Sequence, residues 1–436
     1  MPANYQIWAS LSDSEKVTLL SRPAMADNKT LADTVSGILQ QVKNRGDEAI
    51  RELTKKFDGV DLAQLRLASA ALTSAQSEIS DKVKKAIDIA YQNISLFHQA
   101  QYPQDVKVET QPGVVCELKH TALDAVGLYI PGGSAPLPST VLMLGATAQV
   151  AGCNRKVLCT PPDKNGNIAA EIRYAATLCG IDEVYLIGGA QAIAAMAFGT
   201  QSIAKVDKIF GPGNSFVTEA KQQVSTLADG AAIDMPAGPS EVLVIADEQA
   251  DPAFVASDLL SQAEHGADSQ AVLVSNSQVL IDAVQQQVAI QLPKLSRESI
   301  ASQAMLHSRY ILTTSIEESI QVSNQYAPEH LIIQVQNPRN TLTSIKHAGS
   351  IFVGKWSPES AGDYASGTNH VLPTYGYARN YSSLGLADFM RRYTVQELSY
   401  QGLLNIGDAI MDLAAAEGLD AHKQAVAIRL QGATDV

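Results

Sequence analysis

Val126-Gly-Leu-Tyr-Ile130, Lys156-Val-Leu-Cys159, Glu183-Val-Tyr-Leu-Ile187 and Lys208-Ile-Phe210 decide the fold class. Between Ala125 and Val244 these short apolar and β-branched runs alternate with glycine-containing turns and alanine-rich helical segments. Alternation of that kind predicts parallel strands joined by crossover helices, an α/β layer architecture. A second series (Glu241-Val-Leu-Val-Ile245, Ala271-Val-Leu-Val274, Leu331-Ile-Ile-Gln-Val335 and Ile351-Phe-Val353) predicts a further α/β unit. Upstream, periodic apolar positions over Leu31–Val42 and Val83–Phe97 read as helices, and the tail beyond about Leu384 reads as helical. At 436 residues the chain exceeds the roughly 250 to 300 at which single cores stop growing, so two major domains are expected.

Charge narrows the function classes. The 32 basic and 45 acidic residues leave a net charge of -13, which argues against nucleic acid as a partner, since phosphate binding needs a cationic surface. Four sparse cysteines (Cys116, Cys153, Cys159, Cys179) form no Cys-x-x-Cys spacing and fit a reducing compartment. The segment Met1-Pro-Ala-Asn-Tyr-Gln-Ile-Trp8 soon meets Asp13 and Glu15 and lacks the basic start and apolar run of an export signal; no stretch reaches the about 20 apolar residues that span a bilayer. The expectation is a soluble cytoplasmic protein without a membrane partner.

Three turns follow strands and precede helices: Tyr129-Ile-Pro-Gly-Gly133, Ile187-Gly-Gly-Ala-Gln191 and Phe210-Gly-Pro-Gly-Asn214. Glycines there let backbone approach a ligand, and free amides at a helix start favour phosphate. None matches the G-x-G-x-x-G dinucleotide fingerprint, so a nucleotide site and plain tight turns stay equally open on pattern alone.

The polar chemistry gathers elsewhere. Gln262 and His265 stand three apart at the end of a helix that starts at Pro252 after Asp251 and stops at Gly266, a spacing that lets both face one ion. Trp356 to Pro373 carries no periodicity and many turn formers, with Asp363 and His370 as titratable candidates. In Tyr326-Ala-Pro-Glu-His330, Pro328 is expected to hold Ala327 extended where Glu329 and His330 enter a strand. In Glu417-Gly-Leu-Asp-Ala-His422, Asp420 is expected to cap a helix with His422 in its first turn, where the dipole favours neutral imidazole. A solvated acid, a hydrogen-bonded turn histidine and a helix cap are the bland alternatives at these places.

Taken together and in order, these motifs, with Asp234-Met-Pro-Ala-Gly-Pro-Ser240-Glu, closely resemble the histidinol dehydrogenases over essentially the whole chain. The resemblance implies a zinc-dependent, NAD-linked enzyme of histidine biosynthesis that oxidises L-histidinol through L-histidinal to L-histidine. It implies Gln262, His265, Asp363 and His422 as metal ligands, Glu329 and His330 as the acid-base pair, and Tyr129, Gln191 and Asn214 as NAD contacts. Ser240, His370 and Glu417 would contact substrate beside His330 and the metal ligands. Imidazole, carboxylate and amide oxygen suit zinc, and manganese or cobalt would be tolerated. An imidazole with a pKa near 6.5 suits the base of each oxidation, and a carboxylate suits activation of the water that hydrates the aldehyde.

The resemblance also implies two incomplete Rossmann-like domains, 126–237 for NAD and a discontinuous 25–125 with 238–380. A helical segment 1–24 and a helical tail 381–436 complete the chain, the tail exchanged within a homodimer so that each active site is shared. A metal-dependent hydrolase and a two-lobed binding protein are the rival classes. NADH produced from histidinol separates the first expectation from both.

Overall fold

The computed structural model describes residues 5–22, 29–132, 136–235 and 238–432. Met1 to Asn4 of the N-terminal reading, the 24/25 boundary, Gly133 of the first glycine turn, Pro236-Ala237 of the motif ending at Ser240, and 433–436 lie outside them. Two parallel sheets carry the architecture, and the α/β expectation holds. The first orders its strands Glu183–Leu186, Arg155–Thr160, Ala125–Tyr129, Lys208–Phe210, Ala232–Ile233. The second runs Gln6–Ile7, Arg309–Leu312, Gln270–Ser275, Glu241–Ala246, His330–Gln334, Ser350–Val353, all parallel. Numbered along the chain within each unit, both read 3-2-1-4-5, the order of an incomplete doubly wound sheet, and the second gains Gln6–Ile7 at one edge.

Strands buried on both faces explain why the apolar runs were continuous rather than alternating. Val242, Val244 and Ala246 enter one apolar cluster with Leu273 and Ile332, whereas Leu243 and Ile245 enter another with Val274 and Ile333. Each such valine, leucine or isoleucine side chain contributes roughly 1.5–3 kcal/mol on burial. The helices Lys29–Arg45, Asp47–Phe57, Ser69–Glu78 and Asp81–Gln99 place Val35, Ile50, Leu72 and Ile94 in the cluster of the first sheet.

The tail departs from its helical reading. Met390–Leu398 is a strand that pairs antiparallel with Val114–Ala122, which in turn pairs with Val106–Gln111. Tyr393-Thr-Val395 is β-prone, and the partner lies far upstream, so helical periodicity in the flanking segments hid it. Helices Tyr400–Ala416 and Asp420–Gln431 follow and pack on each other. The stretch Trp356 to Pro373 is also less irregular than expected, because it contains the helix Glu359–Tyr364. No helix among the described residues is long and apolar enough to cross a membrane.

Candidate active site

The order 3-2-1-4-5 creates a switch point between Ala125–Tyr129 and Lys208–Phe210, and crevices at the carboxyl ends of such strands bind ligands. All three glycine turns sit at that edge. Gly211 has φ 121°, and a Cβ there would lie 2.1 Å from the Tyr129 carbonyl oxygen, so only glycine lets the two strand ends stay this close. The Gly189 amide donates to the Tyr129 hydroxyl at 3.0 Å, and burial pushes that phenol up to about 12. Asn214 caps the helix Ser215–Thr226, accepting from the Val217 amide at 3.1 Å. Tyr129, Gln191 and Asn214 together line a cavity of 600 Å³.

A second cavity, of 860 Å³, opens at the other end of the chemistry: the amino edge of the second sheet. Ser240 precedes the strand Glu241–Ala246, and His330 is the first residue of His330–Gln334. Gln262 lies in the last turn of Pro252–Ala263, a helix started by Asp251, whose carboxylate accepts from the Ala253 amide at 2.8 Å. Gln262, His265, Glu329, His330, Asp363 and His370 all line this second cavity. Pro131 and Asn214 line both cavities, so the two spaces adjoin.

The corner that delivers Glu329 and His330 follows the helix Ile316–Tyr326. Ala327 adopts φ 55° and ψ 67°, left-handed rather than the expected extended form. Pro328 disfavours the right-handed helical region for its predecessor; a left-handed residue avoids that region and lets the Ala327 amide close the helix on Ser323 at 2.8 Å. Glu329 is buried and accepts from the Glu241 amide at 2.9 Å. His330 Nδ1 lies 3.1 Å from the Glu241 carbonyl, so Nδ1 carries the proton and Nε2 is left as a lone pair. Nε2 is buried without a hydrogen-bond partner, 3.8 Å from Asp363 Oδ1.

Burial pushes His330 down to about 3, with His265 and His370 adding to the shift, in place of the ordinary imidazole value expected. The ring is thus held neutral, in the proton-accepting form. An ionised Asp363 beside Nε2 would raise its basicity through Coulomb attraction to the imidazolium. Burial raises the Glu329 carboxyl well above its usual range, with Glu241 and Asp363 contributing. His370 Nδ1 donates to the Asp363 carbonyl at 2.9 Å, and burial holds its ring down to about 4.

Donor atoms of His265, Glu359 and Asp363 all lie within 4.8 Å of one another. Both amide atoms of Gln262 and both carboxylate oxygens of Glu359 are buried without hydrogen-bond partners. Convergent, unsatisfied oxygens beside an imidazole are what a divalent cation would satisfy, so the residues fit one. Glu359 was missed from sequence; its one signal was the i,i+4 spacing to Asp363, which shows only once the short helix is known. His265 remains partly open to solvent, yet the protein around it lowers its pKa by dehydration.

Asp258, one turn before Gln262, accepts from Gln334 at 2.7 Å and is pushed by burial up to about 7. A folded-state pKa above the unfolded one means the native protein binds the proton more tightly. Stability is then lost as pH rises through the window from about 4 to 7. Asp258→Asn is expected to raise stability at pH 8 by about 1–3 kcal/mol and to have little effect at pH 4, read from urea unfolding at both values. Equal effects at the two pH values would remove this assignment.

Glu417 and His422 are not brought to either cavity within one chain. Both are exposed at the junction of the two tail helices. Asp420 does not cap: it is already the first helical residue, Leu419 precedes it, and no side-chain cap forms. Helix formation one residue earlier than expected turns the Asp420 carboxylate into a first-turn charge, which still favours the helix dipole.

The family profile described as histidinol dehydrogenase matches residues 21–430. The chain belongs to the histidinol dehydrogenase family. Histidinol dehydrogenase of Aliivibrio fischeri is 60% identical over 425 residues, covering 98% of this chain and 96% of that one. That of Vibrio parahaemolyticus is 58% identical, covering 98% of each. The crystal structure of histidinol dehydrogenase from Elizabethkingia anophelis superposes with a TM-score of 0.94 at 51% identity, covering 97% of both chains. Agreement at this level extends the family's fold over the first and second sheets alike.

Proposed function

We infer that this chain is an NAD-dependent oxidoreductase of histidine biosynthesis that converts L-histidinol through L-histidinal to L-histidine. The observation that carries the reading is the buried Glu329-His330 pair on the wall of a cavity adjoining the glycine turns. Tyr129, Gln191 and Asn214 would hold NAD, which supplies the hydride acceptor for each oxidation. Gln262, His265 and Asp363, with Glu359 beside them, would hold a zinc ion, which anchors and orients the substrate's nitrogen atoms.

His330 Nε2 takes the proton from the alcohol oxygen as hydride leaves the carbon that bears it. The aldehyde is then hydrated: Glu329 takes a proton from water as the water oxygen bonds to the carbonyl carbon, protonated His330 returns its proton to the carbonyl oxygen, and the raised carboxyl pKa makes ionised Glu329 a strong enough base. His330 next accepts a proton from the hydrated aldehyde as the second hydride departs, leaving the carboxylic acid. Glu329→Gln is therefore expected to keep NADH formation from histidinol within about tenfold while histidinal oxidation falls by about 10²-fold or more. Equal losses in the two half-reactions would remove water activation from Glu329.

Completion of the site calls for a homodimer. Glu417 and His422 would reach the partner's cavity from the tail, Glu417 meeting the substrate ammonium and His422 the cation, and Ser240 and His370 would contact substrate from within the chain. Exposed Leu413, Leu419 and Ile428 on the tail, with Val106 and Val108 on the hairpin, supply apolar surface for such an exchange. Mixing inactive His330→Asn and His422→Asn subunits is expected to restore roughly a quarter of wild-type activity, because half the dimers then hold one intact site of two. No recovery after verified subunit exchange would rule out sharing. A cytoplasmic location goes with this reading, since all four cysteines are unpaired and a reducing compartment keeps them so. The decisive assay follows NADH from histidinol and from histidinal, before and after chelation.

A further inference from the structure

Arg22 lies 219 residues from its main partner and lines neither cavity, yet it is the cation built into the framework behind the acid-base pair. Its Nε donates to Glu241 Oε2 at 2.6 Å and its Nη2 to Oε1 at 2.9 Å, a fork on a carboxylate only 2% exposed. Nη2 also donates to the Tyr326 carbonyl at 2.8 Å and to the Ala327 carbonyl at 3.3 Å. The guanidinium lies 4.0 Å from the centre of the Tyr326 ring, whose hydroxyl reaches Glu241 Oε2 at 2.8 Å.

Both things that Arg22 grips lead to the chemistry. Glu241 holds Glu329 through its amide and His330 through its carbonyl. Tyr326 and Ala327 form the corner from which Glu329 emerges, and Ala327 keeps a left-handed backbone that a residue with a Cβ adopts only when its surroundings impose it. A cation at the last carbonyls of a helix satisfies groups that the helix leaves unpaired and favours its dipole.

We propose that Arg22 is a positioning residue for the oxidation: its fork on Glu241 and its bonds to the Tyr326 and Ala327 carbonyls hold Glu329 and His330 in register with each other. It touches neither substrate nor cofactor. The inference rests on the assignment of Glu329 and His330 as the acid-base pair. A planar fork is needed for this geometry, and a lysine supplies only a point charge. Because small misplacements of reacting groups are costly, the effect falls on kcat and leaves ground-state binding in place.

The test compares Arg22→Lys, Arg22→Gln and Arg22→Ala with wild type, with kcat expressed per folded subunit after circular dichroism and with zinc content measured alongside. Arg22→Gln is expected to lower kcat by about 10–100-fold with KM for histidinol and NAD within about threefold and zinc content unchanged. Arg22→Lys should recover part of that loss. Millimolar guanidinium chloride should raise the rate of Arg22→Ala above the rate in sodium chloride of equal ionic strength. A kcat within twofold of wild type in folded Arg22→Gln overturns the proposal, as does a loss confined to KM. Should Arg22→Gln not fold, Arg22→Lys decides by the same criteria. If His330→Asn retains wild-type rates, the underlying reading fails instead, which separates the two outcomes.

Discussion

Replacing His330 by asparagine is expected to lower NADH formation from both histidinol and histidinal by about 10²–10⁴-fold, the range for loss of a general base. The asparagine amide can still donate to the Glu241 carbonyl, now met by His330 Nδ1 at 3.1 Å, so the strand entry stays in place. What disappears is the unpartnered Nε2 lone pair facing the cavity. Since His330 would accept a proton in both oxidations, the two half-reactions must fall together, unlike the split expected for Glu329→Gln. Steady-state rates with each substrate check this, with zinc content and NAD binding as controls. Retention of more than a tenth of either rate in a fully loaded variant would exclude the role.

Stripping the cation should have an effect of similar size. Chelation is expected to reduce turnover by at least about 10²-fold, and zinc or manganese should restore it, because the ion would fix the substrate against His330. The same ion would satisfy the buried, unpartnered oxygens of Gln262 and Glu359, so its removal should also lower the thermal midpoint. Mass action puts the stabilisation at about 2.7 kcal/mol when free metal is a hundred times its dissociation constant. Asp363→Asn should reproduce both effects, read as metal content after dialysis and as a thermal shift. A metal-free protein at full rate would contradict the assignment, whatever the thermal result.

The strands of the two parallel units were readable because burial on both faces forces continuous apolar runs, as at Glu241-Val-Leu-Val-Ile245. Met390–Leu398 was not, since its residues after Met390 are exposed, leave no apolar run and are held as a strand by pairing with Val114–Ala122. Among candidate site residues, those in irregular or capped segments stood out by type and spacing: Gln262 with His265, Glu329 with His330, and Asp363 with His370. Glu359 lay hidden seven residues before Ser366 in what read as loop, and Arg22 carried no local signal because its meaning comes from Glu241, Tyr326 and Ala327. The pKa of His330 was likewise invisible, being a property of burial and of two neighbouring imidazoles.

The two α/β series, the turns that end their strands and the identities of the polar groups are all legible in local composition, since backbone preference and apolar burial are written residue by residue. Which sheet edges face the chemistry is set by the packed fold. The first unit offers the carboxyl ends of its strands and the second the amino ends, so Tyr129 and Asn214 adjoin the space beside His330. Such opposed use of one strand order depends on how two finished layers pack. Packing is settled by surface shape and long-range contacts such as Arg22 with Glu241, which no stretch of neighbouring residues encodes.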